Sequence, residues 1–143
     1  NFVIKTKQEF REDGFFITGD IGTMDHNNYL SIVGRSKDLI ISGGYNVYPK
    51  EIEIILDDVD GFYESAIIGV PHPDFGEGVL AVVVLVAGGD QNEDAIKNNL
   101  KQKIAAYKRP KNIFFVDELP RNTMGKVFKN ILRDQHKDNF TAP

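Results

Sequence analysis

Hydrophobic and polar positions change rhythm several times along the chain, and each change marks an element. Two short β-rich runs come first, Phe15-Phe16-Ile17 and Tyr29-Leu30-Ser31-Ile32-Val33. Between them Asp25-His26-Asn27-Asn28 supplies residues that tolerate a left-handed backbone, so a β-hairpin is expected. Leu39-Ile40-Ile41 predicts a further strand that stops at Gly43-Gly44. Pro49 opens a helix where its missing N–H costs nothing, and Ile52, Ile55, Leu56 and Val59 recur at helical spacing along one face. Two strongly apolar runs follow, 65–70 and 79–86, separated by a loop rich in Pro and Gly; they read as inner strands covered on both faces. Asn92 is placed to cap a helix running from about Glu93 to Tyr107, with Ile96, Leu100 and Ile104 turned inward, and Pro110 ends it. Ile113-Phe114-Phe115-Val116 is the last strand, 119–126 a polar loop and 127–136 a terminal helix. Near the start, Thr6 to Phe10 has the form of a capped helical turn, with Thr6 as the cap and Glu9 three residues later.

From Leu39 onward the order β, α, β, β, α, β, α sets helices against the faces of a small mixed sheet, an α+β domain. The hairpin ahead of it does not belong to that layer, so a boundary is expected between Arg35 and Lys37, dividing 1–35 from 36–143. At 143 residues and 41% hydrophobic content the chain can bury a real core. Seventeen Lys and Arg against twenty-one Asp and Glu give a formal charge of -4, which provides no positive field for nucleic acid or an anionic membrane. The absence of cysteine removes disulfides, thiolate metal sites and a Cys nucleophile, and fits a reducing compartment. The longest apolar run, 79–87, is about half of the roughly 20 residues that a membrane-spanning helix needs. The N-terminus shows neither an initiator Met nor the charged-then-apolar pattern of a signal peptide and reads as a cut into something longer.

Four segments concentrate polar chemistry among the apolar runs. In Thr18-Gly19-Asp20 a carboxylate at a strand end can accept hydrogen bonds from paired ribose hydroxyls, or simply cap the hairpin turn. Gly34-Arg35-Ser36-Lys37-Asp38 packs three charges between two apolar strands, as a salt-bridged edge or as a hinge with an Arg that contacts a ligand. Ser42-Gly43-Gly44-Tyr45-Asn46 lets backbone approach a ligand closely but lacks the spacing of a phosphate-binding loop. Pro120-Arg121-Asn122-Thr123-Met124-Gly125-Lys126 ends in a lysine suited to neutralising a carboxylate or phosphate in a transition state, or else in an ordinary surface lysine. His26, His72 and His136 have no metal-ligand spacing and read as solvated, and no GxSxG elbow appears.

Taken in order, these motifs resemble the C-terminal region of the adenylate-forming acyl-CoA synthetases. Gly14-Phe15-Phe16-Ile17-Thr18-Gly19-Asp20 is similar to that superfamily's Tyr/Phe-x-Thr-Gly-Asp motif, Gly34 to Gly44 to its hinge motif, and Pro120 to Lys126 to its terminal Pro-Lys/Arg-x-x-x-Gly-Lys motif. The stretch Gly43 to Glu53 is most similar to malonyl-CoA synthetases and their fatty-acyl relatives; peptide-synthetase adenylation domains, which load a carrier protein, usually carry a more basic segment there. The resemblance implies that 1–35 is the tail of a large N-terminal adenylation domain and 36–143 a mobile C-terminal lid. It implies that Asp20, Arg35 and Thr18 bind the nucleotide, Lys37 is the hinge (many members have Asp), Lys126 is the catalytic lysine, and Gly43, Gly44 and Tyr45 line the CoA tunnel. ATP, Mg2+ and CoA would serve the full-length enzyme, with Mg2+ held outside this region. The partners would be the N-terminal domain and a carboxylic acid substrate, with no nucleic acid and no membrane span. The cytoplasm is the default location, with a mitochondrial one open. Without the phosphate loop and acyl pocket the region alone is expected to be inactive; a binding or regulatory module that reuses the lid fold is the alternative.

Overall fold

The computed structural model describes residues 9–89 and 92–141. The capped turn expected to start at Thr6 lies outside them. The chain divides into two compact units, residues 1–37 and 38–143.

In the first unit β1 (Asp20–Met24) pairs antiparallel with β2 (Leu30–Arg35), from Asp20 opposite Arg35 to Met24 opposite Leu30. Asp25 closes the turn by accepting from the N–H groups of Asn27 and Tyr29 at 2.8 and 2.9 Å, and Asn28 takes φ 64°. Short Asx side chains make such a turn inexpensive. The first arm is not the expected 15–17: Phe16 forms only an isolated bridge with Phe10, and the left-handed Gly19 (φ 73°) breaks the chain before the true strand starts. Phe15, Tyr29, Leu30 and Ile32 are all exposed, so this unit buries little core of its own.

The second unit is built on a five-stranded sheet. Its elements are β3 (Ile40–Ser42), β4 (Tyr45–Val47), α1 (Pro49–Asp57), β5 (Phe62–His72), β6 (Gly76–Leu85), α2 (Glu93–Lys103), β7 (Asn112–Val116) and α3 (Lys129–His136). β6 is the inner strand: β5 pairs along its whole length on one side, while β3 at Gly76 and β7, parallel, at Leu80–Val84 share the other. β5 is therefore an edge strand, contrary to the sequence expectation. The two positions look alike in sequence because both faces of β5 are covered. Ile67 joins Val79, Ala81 and Val83 under Ile52 and Leu56 of α1 and Ile96 and Leu100 of α2. Ala66, Ile68 and Val70 join Leu80 and Val82 under Leu119, from the loop after β7, and Leu132 of α3. Each such buried Val, Leu or Ile side chain stabilises the fold by about 1.5–3 kcal/mol.

The expected α+β architecture, a mixed sheet with helices on both faces, is thus borne out. α2 is shorter than expected, because Ala105 is extended (φ -60°, ψ 151°) and a separate 3₁₀ turn occupies Ala106–Lys108. At the β5 edge the buried carboxylate of Glu53 accepts from the Ile67 N–H at 2.9 Å and from Lys129 Nζ at 2.6 Å. One carboxylate thereby satisfies an edge N–H and ties α1 to α3 around the sheet.

Candidate functional site

Three residues singled out in the first unit converge. Asp20 and Arg35 are direct cross-strand partners, and Arg35 Nε meets Asp20 Oδ1 at 2.7 Å. Arg35 Nη1 donates to the Thr18 carbonyl at 2.8 Å, while Thr18 Oγ1 accepts from the Asp20 N–H at 3.1 Å. The carboxylate is oriented by a charged, forked donor and stays partly accessible, as a group that receives hydroxyl donors requires.

Lys37 occupies a 3₁₀ turn, Ser36–Asp38, and the two units divide immediately after it. Its neighbours are both anchored. Ser36 donates through N–H and Oγ to the Gly19 carbonyl at 2.8 and 3.1 Å, and Asp38 accepts from Arg133 of α3 at 2.9 Å. The exposed Lys37 is left as the residue between two fixed points.

Gly43 and Gly44 take φ 58° and 82° between paired Ser42 and Tyr45, a two-residue hairpin turn of type I′. The strand after it, β4, was missed by the sequence reading. The Gly43 N–H donates to the Phe75 carbonyl at 2.8 Å, and a Cβ on Gly43 would stand 3.3 Å from the Phe75 ring. Lys111 Nζ lies 3.9 Å from the centroid of that ring, and Tyr45 stacks on Tyr107 at 4.6 Å. Beside them Glu51 binds Lys108 Nζ at 2.6 Å, and this hydrogen bond holds the ammonium above the usual lysine pKa against partial burial. Phe75, Tyr107 and Lys111 thus join the glycine turn, although their sequence positions gave no sign of it.

The lysine loop is ordered by its own polar groups. Asn122 Oδ1 accepts from the N–H of Met124 at 3.0 Å and of Lys126 at 2.9 Å, and the Asn122 N–H donates to the Lys126 carbonyl at 2.9 Å. Gly125 supplies the left-handed φ of 77°. The Lys126 side chain is exposed, and among the described residues no acceptor binds its ammonium. A fixed backbone therefore presents a free cation.

The glycine turn and the lysine loop lie at opposite ends of the β5–β6 hairpin. The turn adjoins the rung His72–Gly76 through β3, and the loop is tied by Arg121 to Glu64, on the rung Glu64–Val84. Eight residues of strand separate these rungs, roughly 26 Å. Residues 51–126, from α1 to this lysine, match the model of the AMP-binding enzyme C-terminal domain. The chain belongs to that family.

The AMP-binding enzyme C-terminal domain also accounts for the similar structures. ATP-bound MatB from Rhodopseudomonas palustris is 57% identical, with a TM-score of 0.89 over 96% of this chain and 27% of its own. The MenE o-succinylbenzoate CoA synthetase of Bacillus subtilis, in complex with its acyl-adenylate intermediate, is 34% identical, with a TM-score of 0.82 over 92% of this chain and 26% of its own. Long-chain-fatty-acid–CoA ligase FadD13 of Mycobacterium tuberculosis is 43% identical over 87% of this chain and 25% of its own length. The chain spans about a quarter of these relatives. The resemblance to acyl-CoA synthetases drawn from the motifs is borne out, with FadD13 on its fatty-acyl side. His72 and His136 depart from expectation: His72 is packed between Phe75 and Phe140, and His136 against Phe114, where burial lowers its pKa.

Proposed function

We propose that this chain is the mobile lid of an ATP-dependent acyl-CoA synthetase, presenting two ends of one hairpin to one active site in turn. The observation that carries this reading is the separation of the lysine loop and the glycine turn along a rigid, doubly covered β5–β6 pair. Two groups tied to strand rungs roughly 26 Å apart on one body cannot serve one reaction centre together, so the body must turn between steps. Lys37, between two anchored residues, is the pivot.

In the first step a carboxylate oxygen attacks the α-phosphorus of ATP and pyrophosphate leaves. Lys126 stabilises the charge that develops between carboxylate and phosphate, an electrostatic contribution that depends on its backbone being already in place. Asp20 holds the ribose hydroxyls, oriented by Arg35 and Thr18, and Arg35 is close enough to share the nucleotide. In the second step the glycine turn borders the path of the CoA thiol, which attacks the acyl carbon and displaces AMP. CoA fits this surface better than a carrier protein does: Tyr45 stacked on Tyr107 offers aromatic area to a base, and Lys111 offers charge to phosphate. The exposed apolar side chains of the first unit support its being the tail of a large N-terminal domain that covers them. Among the described residues no group of three or more His, Asp and Glu is suited to hold a metal, and no step here runs through Mg2+. No helix among them is long and apolar enough to cross a membrane.

The test is to join this chain to the N-terminal part of MatB from R. palustris in place of that enzyme's own C-terminal part. Carboxylate-dependent pyrophosphate release and CoA thioester formation are expected. A folded, ATP-binding chimera that performs neither would contradict the reading and favour a regulatory module.

A further inference from the structure

One guanidinium connects the free lysine to the sheet. Arg121 Nη2 pairs with Glu64, and Arg121 Nη1 donates at 2.7 Å to the carbonyl of Gly125, the residue before Lys126. Glu64 faces this loop because of a local irregularity in β5. The register slips between Phe62, opposite Leu85, and Glu64, opposite Val84, so Tyr63 is the extra residue of a β-bulge. Side chains two apart in a regular strand share a face, and a bulge cancels that rule. Phe62 accordingly packs with the core under α1 and α2, while Glu64 shares the parity of Ala66 and Ile68 on the α3 side. The bulge gives up ladder regularity and re-aims one carboxylate at the lysine loop.

We propose that Glu64 and Arg121 are positioning residues for adenylate formation, fixing the peptide that carries Lys126. The inference rests on the catalytic role assigned to Lys126. A neutral residue at 121 would leave the Gly125 carbonyl without this donor, and Arg121→Lys would remove the fork that reaches two acceptors at once. The asparagine turn closes the loop on itself, and beside the apolar contacts of Leu119 and Val127 the Arg121–Glu64 pair fixes the closed loop to the hairpin. Displacement of a catalytic group by about 1 Å costs on the order of 100-fold in rate, so loss of the pair is expected to slow adenylation by about 10–100-fold.

The experiment uses the full-length ligase carrying this region, with Glu64→Gln and Arg121→Lys made alone and on a Lys126→Ala background. Three quantities are measured: carboxylate-dependent pyrophosphate release, thioester formation from supplied acyl-adenylate, and hydrogen exchange in peptides covering 120–128 and the β5–β6 strands. The proposal expects slower pyrophosphate release, unchanged thioester formation, faster exchange confined to 120–128, and no further loss when Lys126 is already Ala. Equal loss in both half-reactions, faster exchange throughout β5–β6, or a full additional loss on the Lys126→Ala background would overturn it by making the pair a general stabiliser. Undiminished adenylation in Lys126→Ala alone would instead overturn the role of Lys126, whatever the pair does.

Discussion

Replacing the two turn glycines one at a time separates backbone geometry from packing at the proposed thioester face. Both occupy the left-handed region, where an L-residue with a Cβ costs about 1–2 kcal/mol. A Cβ on Gly44 meets nothing within 4 Å, so Gly44→Ala bears the backbone cost alone. A Cβ on Gly43 stands 3.3 Å from Phe75 Cδ1, so Gly43→Ala also presses the ring that carries Lys111. Phe75 is 40% exposed at the tip of the β5–β6 hairpin and can yield by a few tenths of an ångström, which keeps the extra destabilisation below about 1 kcal/mol. In thermal unfolding Gly44→Ala should therefore lose about 3–8 °C and Gly43→Ala up to about 12 °C, at roughly 3–4 °C per kcal/mol for a chain of this size. Gly44→Asn should recover most of the loss, since Asn tolerates the left-handed region. Thioester formation from supplied acyl-adenylate should fall more in Gly43→Ala than in Gly44→Ala. An Asn variant as unstable as the Ala variant would refute the backbone argument. Identical thioester rates in the two Ala variants would refute the packing argument.

Two further outcomes follow from the buried groups. Glu53→Ala strands Lys129 and the Ile67 N–H at the β5 edge and should cost about 3 kcal/mol in urea unfolding, with part recovered on adding Lys129→Met; an unchanged midpoint would show that the carboxylate does not tie α1 to α3. Burial lowers the pKa of His136, so its stability contribution is complete above the unfolded value near 6.5 and is lost as pH falls below it. His136→Gln should flatten the decline below pH 6.5, and an unaltered slope would show that another group is responsible.

The second unit was legible where burial and period agree. The α1 face, the β5 and β6 runs and the terminal helix all follow apolar spacing that one sheet can satisfy. The first hairpin arm was misplaced because Phe15-Phe16-Ile17 has strand composition, whereas the real β1, Asp20-Ile21-Gly22-Thr23-Met24, is polar and glycine-containing and is fixed by its partner β2. β4 was missed because only Val47 of its three residues is buried, although Gly-Gly between two short β-rich runs is itself a hairpin signal. Motif residues announced Asp20, Arg35 and Lys126. Their supports did not announce themselves: Glu64 and Arg121 are 57 residues apart, Phe75 and Lys111 meet only through the sheet, and a bulge leaves no periodic trace.

The most direct measurement is Lys126→Ala in the full-length ligase, with adenylation and thioester formation assayed separately. The two-ended lid predicts that pyrophosphate release is lost while thioester formation from supplied acyl-adenylate survives, because the glycine turn and its aromatic surroundings are untouched. Equal loss of both steps, or loss of neither, would contradict it.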